Sequence, residues 1–442
     1  MDSERLLQRF LRYVQIDTTA CEGAATYPSS AGQLTLGRML VDELRAMGIT
    51  DVLQNEFGIV LATVPATRPH APAIAFCAHL DTSPETTGAG VKPQVIRSHS
   101  GGELVLPGDP TQVIRDPQLA QLKGATIITS DGTTLLGADD KAGVAVIMEM
   151  AAVLMEEPQR PRGPVRLCFT CDEEIGRGVE HLDPQRVAAV ACYTLDGSGM
   201  ATIDVETFSA DLAVVTVRGV NIHPSIAKGR MVNALRVAAD LVARLPRDRL
   251  APECTEGRQG FLHPYHVEGG VGQVELRILL RDFDTRQLDL HAQQLRQAAA
   301  ASMAAFPGSA IDVAIHKQYR NMSEGLAREP RAVAYAETAW QRLGATRDSG
   351  PTADDGSAPA QETRPRLGGH ARRSVIRGGT DGSRLTELGL PTPNLSTGQH
   401  TPHSNLEWAC LDEMQAAVLW LLEICAVWAE PAGDARECGV SG

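Results

Sequence analysis

The sequence predicts an α/β fold in which a smaller α/β domain is inserted into a larger one. Three observations carry that expectation. Short apolar runs that end in His, Asp or Glu alternate with segments of helical periodicity between Ala73 and Gly197. At 442 residues the chain is too long for one ordinary core. From about Thr207 the pattern changes to strand, helix, strand, helix, strand, enough for a separate domain, before a helix near Glu324 carries the chain back. The expected boundaries are 1–206 and 322–442 for the two parts of the larger domain and 207–321 for the insert.

Taken in order, Leu6, Leu7, Phe10, Leu11 and Val14 recur at helical spacing and give a first amphipathic helix. A loop rich in Gly, Ala, Ser and Pro precedes a second helix over 34–47, ended near Gly48. Residues 55–64 read as strand, and so do 73–78, which stop at His79-Leu80-Asp81-Thr82. Turn residues dominate from Ser83 to Ser130, with short strands and little legible chemistry. Two adjacent acids, Asp139 and Asp140, then sit between small residues, and the apolar run after them begins a helix that reaches Met155.

Residues 165–170 give the next strand, ending at Cys171-Asp172-Glu173-Glu174, and 189–195 give another, ending at Asp196-Gly197. In the insert, strands are expected over 211–218, 273–282 and 311–316, with a helix over 231–245 opening on Asn233. Residues 345–372 lack apolar periodicity and read as a mobile surface loop whose Arg372-Arg373 end is solvated. After it come a strand over 374–376, the Gly378-Gly379 turn and a helix start. Residues 393–397 lead to a loop holding His400 and His403, and the helix 411–428 closes the chain.

Composition bounds the function. A hydrophobic fraction of 43% with 21% charged residues is ordinary for a soluble globular protein. A net charge of −13 argues against nucleic acid as a partner, since phosphate binding needs concentrated Lys and Arg. Nine scattered cysteines fit a reducing, cytoplasmic setting. Cys168 and Cys171 form a Cys-x-x-Cys, but residues three apart on a strand point to opposite faces, so we discount it as a redox or zinc motif. Neither a signal peptide nor a membrane-length apolar run is expected.

The chemistry lies at the strand ends, where an open α/β sheet places its ligands. A carboxylate from the Asp139-Asp140 step could hold a metal, with both oxygens free to bridge two cations; an acid that only complements the helix dipole would look the same. His79 and Asp81, at i and i+2, share one side of the chain, and Asp81 can orient or accept from the imidazole. The Glu173-Glu174 pair divides into a ligand and a general base, unless it is an exposed acidic turn. The Gly378-Gly379 turn exposes N–H groups to an anion or a polarised carbonyl.

Together these residues resemble the tripeptide aminopeptidase (peptidase T) branch of the di-zinc aminoacylase and carboxypeptidase superfamily. His79 to Thr82, Leu136 to Gly143, Asp172 to Glu174, Tyr193 to Gly197, His223-Pro224, Ala227 to Gly229, Met231 to Ala234, Arg281 to Asp284, Tyr319 to Met322 and Ile376 to Gly382 match in order. The likeness runs from the first helix to about Trp428, the 345–372 loop excepted. It implies a mixed-sheet zinc-peptidase catalytic domain flanked by helices, with the insert as a lid or dimerisation-type domain.

The resemblance also implies two Zn2+ per chain, replaceable by Co2+ or Mn2+. One would be held by His79, Asp139 and Asp196, the other by Asp139, Glu174 and His403, with Glu173 as general base to a shared water and Asp81 orienting His79. It implies a cis Asp139–Asp140 peptide. His223 would stabilise the oxyanion, from its own or a neighbouring subunit, while Asn233, Arg281, Arg377, Gly378 and Gly379 would hold the peptide's carbonyl and carboxylate; Asn233 reads as well as a structural residue.

Two departures from the family are visible. Gln399-His400-Thr401-Pro402 replaces an aromatic, Gly-rich loop, and Ser225-Ile226 stands where Gly is usual. His403 is preferred to His400 as ligand because Glu407 and Trp408 follow it at the family spacing. The implied partner is a short peptide, with no nucleic acid or membrane, and a homodimer is compatible. A di-zinc dipeptidase, carboxypeptidase or N-acyl-amino-acid deacylase, or a metal-free binding protein on the same fold, are the competing readings.

Overall fold

The apolar runs that end in charged residues become the parallel centre of a mixed, 11-stranded sheet. A computed structural model describes residues 2–348 and 367–431. It divides into two units: Met1–Val205 with Glu324–Ser374 and Thr380–Gly442, and Glu206–Ser323 with Val375–Gly379. In the first, Val165–Thr170, Ile74–His79, Ala191–Ser198 and Asn394–His400 lie side by side and parallel. Antiparallel neighbours extend the sheet through Val60–Val64 and Val52–Gln54 on one side and Trp408–Cys410, Ile127–Thr129 and Gln94–Ile96 on the other. Every residue of Ile74–His79 is buried, as expected of a parallel strand covered on both faces.

The covering helix on one face is Ala138–Glu156, apolar around its circumference and therefore enclosed. It packs on Ile74–His79 and Ala191–Ser198 below and on the helices Ser3–Val14 and Leu411–Trp428 beside it. Asp139 (φ −83°, ψ 102°) and Asp140 (φ −119°, ψ 31°) are not helical, so the regular helix starts after the acids, and their connecting peptide is cis. On the opposite face Ala75, Cys77, Cys168 and Cys192 pack with Val179, Leu182, Val187 and Leu385. Cys168 is therefore a core residue; Cys171 lies beyond the strand end, and the described cysteines are all free. Among the described residues no helix is long and apolar enough to cross a membrane.

The second unit is a four-stranded antiparallel sheet, ordered Phe261–Gly269, Gln273–Asp282, Ser209–Arg218, Ala310–Tyr319. Val215, Val217, Leu276, Ile278 and Leu280 form one apolar core with Val237 and Leu241 of helix Ala234–Arg244 and Leu288 and Leu295 of helix Thr285–Ala305.

Several expected elements need correction. Residues 55–64 are not one strand: Asn55 Oδ1 accepts the N–H groups of Phe57 and Ile59, both at 3.0 Å, and Gly58 takes φ +84°, so the chain turns between Val52–Gln54 and Val60–Val64. The strand Phe261–Gly269 was not expected, because its outer half is exposed and Pro264 marks a shift in its register. The second helix begins earlier, at Ala31. His400 ends a strand rather than lying in a loop. The expected 345–372 loop is shortened at both ends by the helix Arg331–Asp348 and the strand Arg372–Ile376, and residues 349–366 lie outside the described residues. Arg373 pairs with Glu337 at 2.6 Å.

One buried charge cluster locks the first helix to the covering helix. Glu149, with no exposed side chain, accepts from Arg5 at 2.8 Å and from Arg9. Removing one partner of a buried pair leaves the other uncompensated. Glu149→Ala is therefore expected to lower unfolding free energy by about 3–5 kcal/mol in urea titration; a loss under about 1 kcal/mol would assign the pair to the weak class of surface bridges.

Candidate metal centre

The carboxyl ends of the four parallel strands deliver the reactive groups. His79 is the last residue of its strand, Asp196 lies near the end of Ala191–Ser198, Glu173 and Glu174 follow Val165–Thr170, and His403 lies in the turn after Asn394–His400. Asp139 joins them from the start of the covering helix. Their donor atoms form two triplets, His79 with Asp139 and Asp196, and Asp139 with Glu174 and His403, each within 4.8 Å.

Asp139 stands between two imidazoles. His79 Nε2 is 3.0 Å from its Oδ1 and His403 Nε2 is 3.4 Å from its Oδ2. His79 Nε2 is also 3.9 Å from Asp196 Oδ1, and His403 Nε2 is 3.0 Å from Glu174 Oε2. Nδ1 of His79 lies 3.1 Å from the Asp81 carbonyl oxygen, which turns Nε2 toward the carboxylates. His403 is left-handed at φ +61°; its carbonyl accepts from Thr86 Oγ1 at 3.1 Å, and Nδ1 lies 3.5 Å from Glu85.

Asp81 serves the next loop as well. Its carboxylate accepts the N–H groups of Glu173 at 3.1 Å and Glu174 at 3.0 Å, while Oδ1 is 3.4 Å from His79 Nδ1. Asp172, left-handed at φ 62°, accepts from the Ser29 N–H at 2.7 Å and from Gln33 Nε2 at 2.7 Å. Glu173 belongs to neither triplet. It is a half-buried carboxyl held by its backbone beside the cluster.

The electrostatics of this cluster favour a cation. Burial, with the charge of Asp139, pushes Asp196 well above the usual carboxylate range, and the same two causes raise Glu174 to about 7. Burial raises Glu173 too, opposed by His79. Burial also works against ionisation of Asp139, but hydrogen bonds from His403 and His79 outweigh it and hold that carboxyl low. Hydrogen bonds to Asp139 and Glu174 lift His403 to about 11. Glu174 Oε1 is buried without a hydrogen-bond partner. Crowded carboxylates, an orphaned oxygen and two imidazoles are the hard and borderline donors that suit a divalent cation such as zinc.

The remaining sequence candidates belong to the second unit. His223 is exposed, and the Ser225 N–H donates to its Nδ1 at 3.3 Å, which leaves the proton of a neutral ring on Nε2. Asn233 caps helix Ala234–Arg244, accepting from the Leu235 N–H at 2.9 Å. Arg281 donates to the Asp211 and Leu280 carbonyls, both at 3.1 Å, beside the Tyr319 ring. Arg377 donates to the Gly257 and Gln259 carbonyls and to Thr255. Gly378 has open space where a side chain would start, whereas a Cβ on Gly379 would lie 2.4 Å from Tyr319.

Three groups have a supporting role that the sequence analysis does not assign. Asp140 accepts the N–H groups of His79 and Gly143, each at 3.2 Å. Glu85 faces His403 from a stretch with no legible pattern. Glu407 accepts three backbone N–H groups around Asp139. An acid set among Leu406, Trp408, Ala409 and Cys410 was the available signal for the last. His400 pairs instead with Glu413 at 2.6 Å and stacks on Trp408.

Comparison with known proteins gives a consistent picture. Residues 59–204 match the model of peptidase family M28 and residues 205–305 that of the peptidase dimerisation domain. The chain is 39% identical to Peptidase T of Geobacillus kaustophilus (strain HTA426), covering 97% of this chain and 99% of the relative. It is 39% identical to Peptidase T of Bacillus subtilis (strain 168), covering 95% and 98%. Among solved structures, aminopeptidase PepT from Bacillus cereus ATCC 10987 aligns with a TM-score of 0.70 over 97% of this chain and all of that one, at 23% identity. A tripeptidase from Staphylococcus aureus subsp. aureus Mu50 aligns with a TM-score of 0.72 over 97% and 99%, also at 23%. These two likenesses show the fold.

The shared position of Asp139 makes a sharp test. Asp139→Asn is expected to abolish tight binding of zinc at both triplets, whereas His79→Ala should leave about one equivalent bound through the other. Equilibrium dialysis with elemental analysis measures both, and full retention by Asp139→Asn would separate this residue from the ions.

Proposed function

The chain belongs to the peptidase T family, and from that premise we propose that it releases the N-terminal residue of tripeptides at a centre of two zinc ions, which Co2+ or Mn2+ can replace. The observation that carries the reading is the pair of triplets meeting at Asp139. His79, Asp139 and Asp196 would hold one ion and Asp139, Glu174 and His403 the other. When bound, such a pair lowers the pKa of water and polarises the scissile carbonyl.

The chain's own residues do the remainder. Glu173, free of both triplets and desolvated, takes the proton of the attacking water and returns it to the departing amine. Asp81 keeps that carboxyl in position through the Glu173 and Glu174 N–H groups. His223, with a proton on Nε2, is the donor to the developing oxyanion, in its own subunit or a neighbour's. Asn233, Arg281 and Arg377 with the Gly378-Gly379 turn are assigned to the peptide's carbonyl and carboxylate; their described hydrogen bonds to the fold mean that they would act as pre-set groups. A homodimer is part of the same reading, supported by the dimerisation-domain match. So is a cytoplasmic setting, supported by the free cysteines.

Glu173→Gln should retain zinc yet lose about 10²- to 10⁴-fold in kcat, and near-normal turnover would remove Glu173 from its role. His223→Ala should lower kcat with metal content intact; unchanged kinetics would reject the assignment. A panel of tripeptides, dipeptides and N-acetyl amino acids separates this activity from its relatives: faster cleavage of dipeptides or N-acetyl amino acids than of tripeptides would overturn the substrate class.

A further inference from the structure

We propose that Glu407 is a positioning residue that sets the separation of the Asp139 loop from the His403 turn, and through it the affinity of the centre for its cations. The inference rests on the reading of the two triplets as a metal centre. Glu407 is 1% exposed, and both its oxygens are used. Oε2 accepts the N–H groups of Leu136 at 2.8 Å and Gly137 at 2.7 Å, and Oε1 accepts that of Asp139 at 2.9 Å. Its own N–H donates to the Ser404 carbonyl at 3.2 Å, which closes the turn Ser404–Glu407 directly after His403. One carboxylate therefore grips the backbone on which Asp139 is mounted, while its main chain belongs to the turn that presents His403.

The arrangement is more than a helix cap. The N–H groups that Glu407 holds, those of Leu136, Gly137 and Asp139, precede the regular helix, and Gly137, in the left-handed region at φ +80°, has no side chain to offer them. The nearest local acid, Asp140, is committed to the N–H groups of His79 and Gly143. The acceptor comes instead from the far end of the chain, next to the other triplet. Charge-assisted hydrogen bonds are short and directional, so they fix position as well as satisfy donors. Besides Asp139 and Glu174, His403 meets the Thr86 hydroxyl and Glu85, whose side chain is largely exposed. Glu407 is buried and reaches the backbone on the Asp139 side.

The test uses the full-length chain stripped of metal by chelation. It is titrated with Co2+ alone, following visible absorption, and with Zn2+ by calorimetry. Glu407→Gln keeps the size but turns an amide NH2 toward the backbone donors; Glu407→Asp keeps the charge but withdraws it by one methylene. The Gln variant is expected to keep its far-UV circular dichroism, bind cations about 10- to 100-fold more weakly and show a shifted Co2+ spectrum. The Asp variant should fall between it and the parent. Wild-type affinity and an unchanged spectrum in a folded Gln variant, with only a lower unfolding midpoint, would reduce Glu407 to a structural cap and overturn the inference alone. Should the Gln variant fail to fold, the same result in the Asp variant overturns it. Failure of the parent chain to take up Co2+ would remove the metal reading and this inference with it.

Discussion

Carboxylates crowded together away from water need donors or a cation for their oxygens, and around this centre they divide into two groups. Asp81, Asp140 and Glu407 spend their oxygens on backbone N–H groups of the surrounding loops, and Asp172 divides its own between the Ser29 N–H and the Ser29 and Gln33 side chains. Asp139, Glu174 and Asp196 turn inward to the imidazoles of His79 and His403. The outer group fixes loop geometry; the inner group faces two imidazoles and keeps one buried oxygen, on Glu174, without a hydrogen-bond partner. Position and chemistry are thus assigned to different members of one residue type.

The fold makes this division workable by bringing strand ends to one edge. In a strand a slip of one residue reverses the side on which every group points, so the register of Ile74–His79 against Val165–Thr170 decides whether His79 faces the centre. That register is enforced from both sides. The covering helix buries an apolar face on the strands, and Glu149 ties it to the first helix of the chain. A small unit of antiparallel strands is meanwhile built with its own core, so the insertion leaves the parallel strands undisturbed.

Much of this was legible in the residues. Apolar runs stopping at His79, Glu173 and Asp196 announced buried parallel strands and the edge where they end, because a strand covered on both faces has no reason to alternate. The helix Leu411–Trp428 and the strand Gln273–Asp282 were bounded correctly by periodicity alone. What escaped depended on local hydrogen bonding or on distant pairing. Asn55 bends what reads as one strand by capturing two N–H groups, and Phe261–Gly269 carries too little buried surface to look like a strand. Glu85 and Glu407 matter through groups far away in sequence, and no spacing rule reaches that far. Asn233 and Arg377 show the converse, since side chains that resemble substrate contacts also hydrogen-bond within the fold.

The order of residues along the chain has a consequence for synthesis. His79, Asp139, Glu174 and Asp196 all emerge before the inserted unit, whereas His403, Glu407 and the strand Asn394–His400 emerge after it. A nascent polypeptide still tethered to the ribosome therefore has an unfilled slot beside Ala191–Ser198 and lacks one imidazole of the pair. The second triplet can therefore assemble only once the chain beyond the inserted unit has been made.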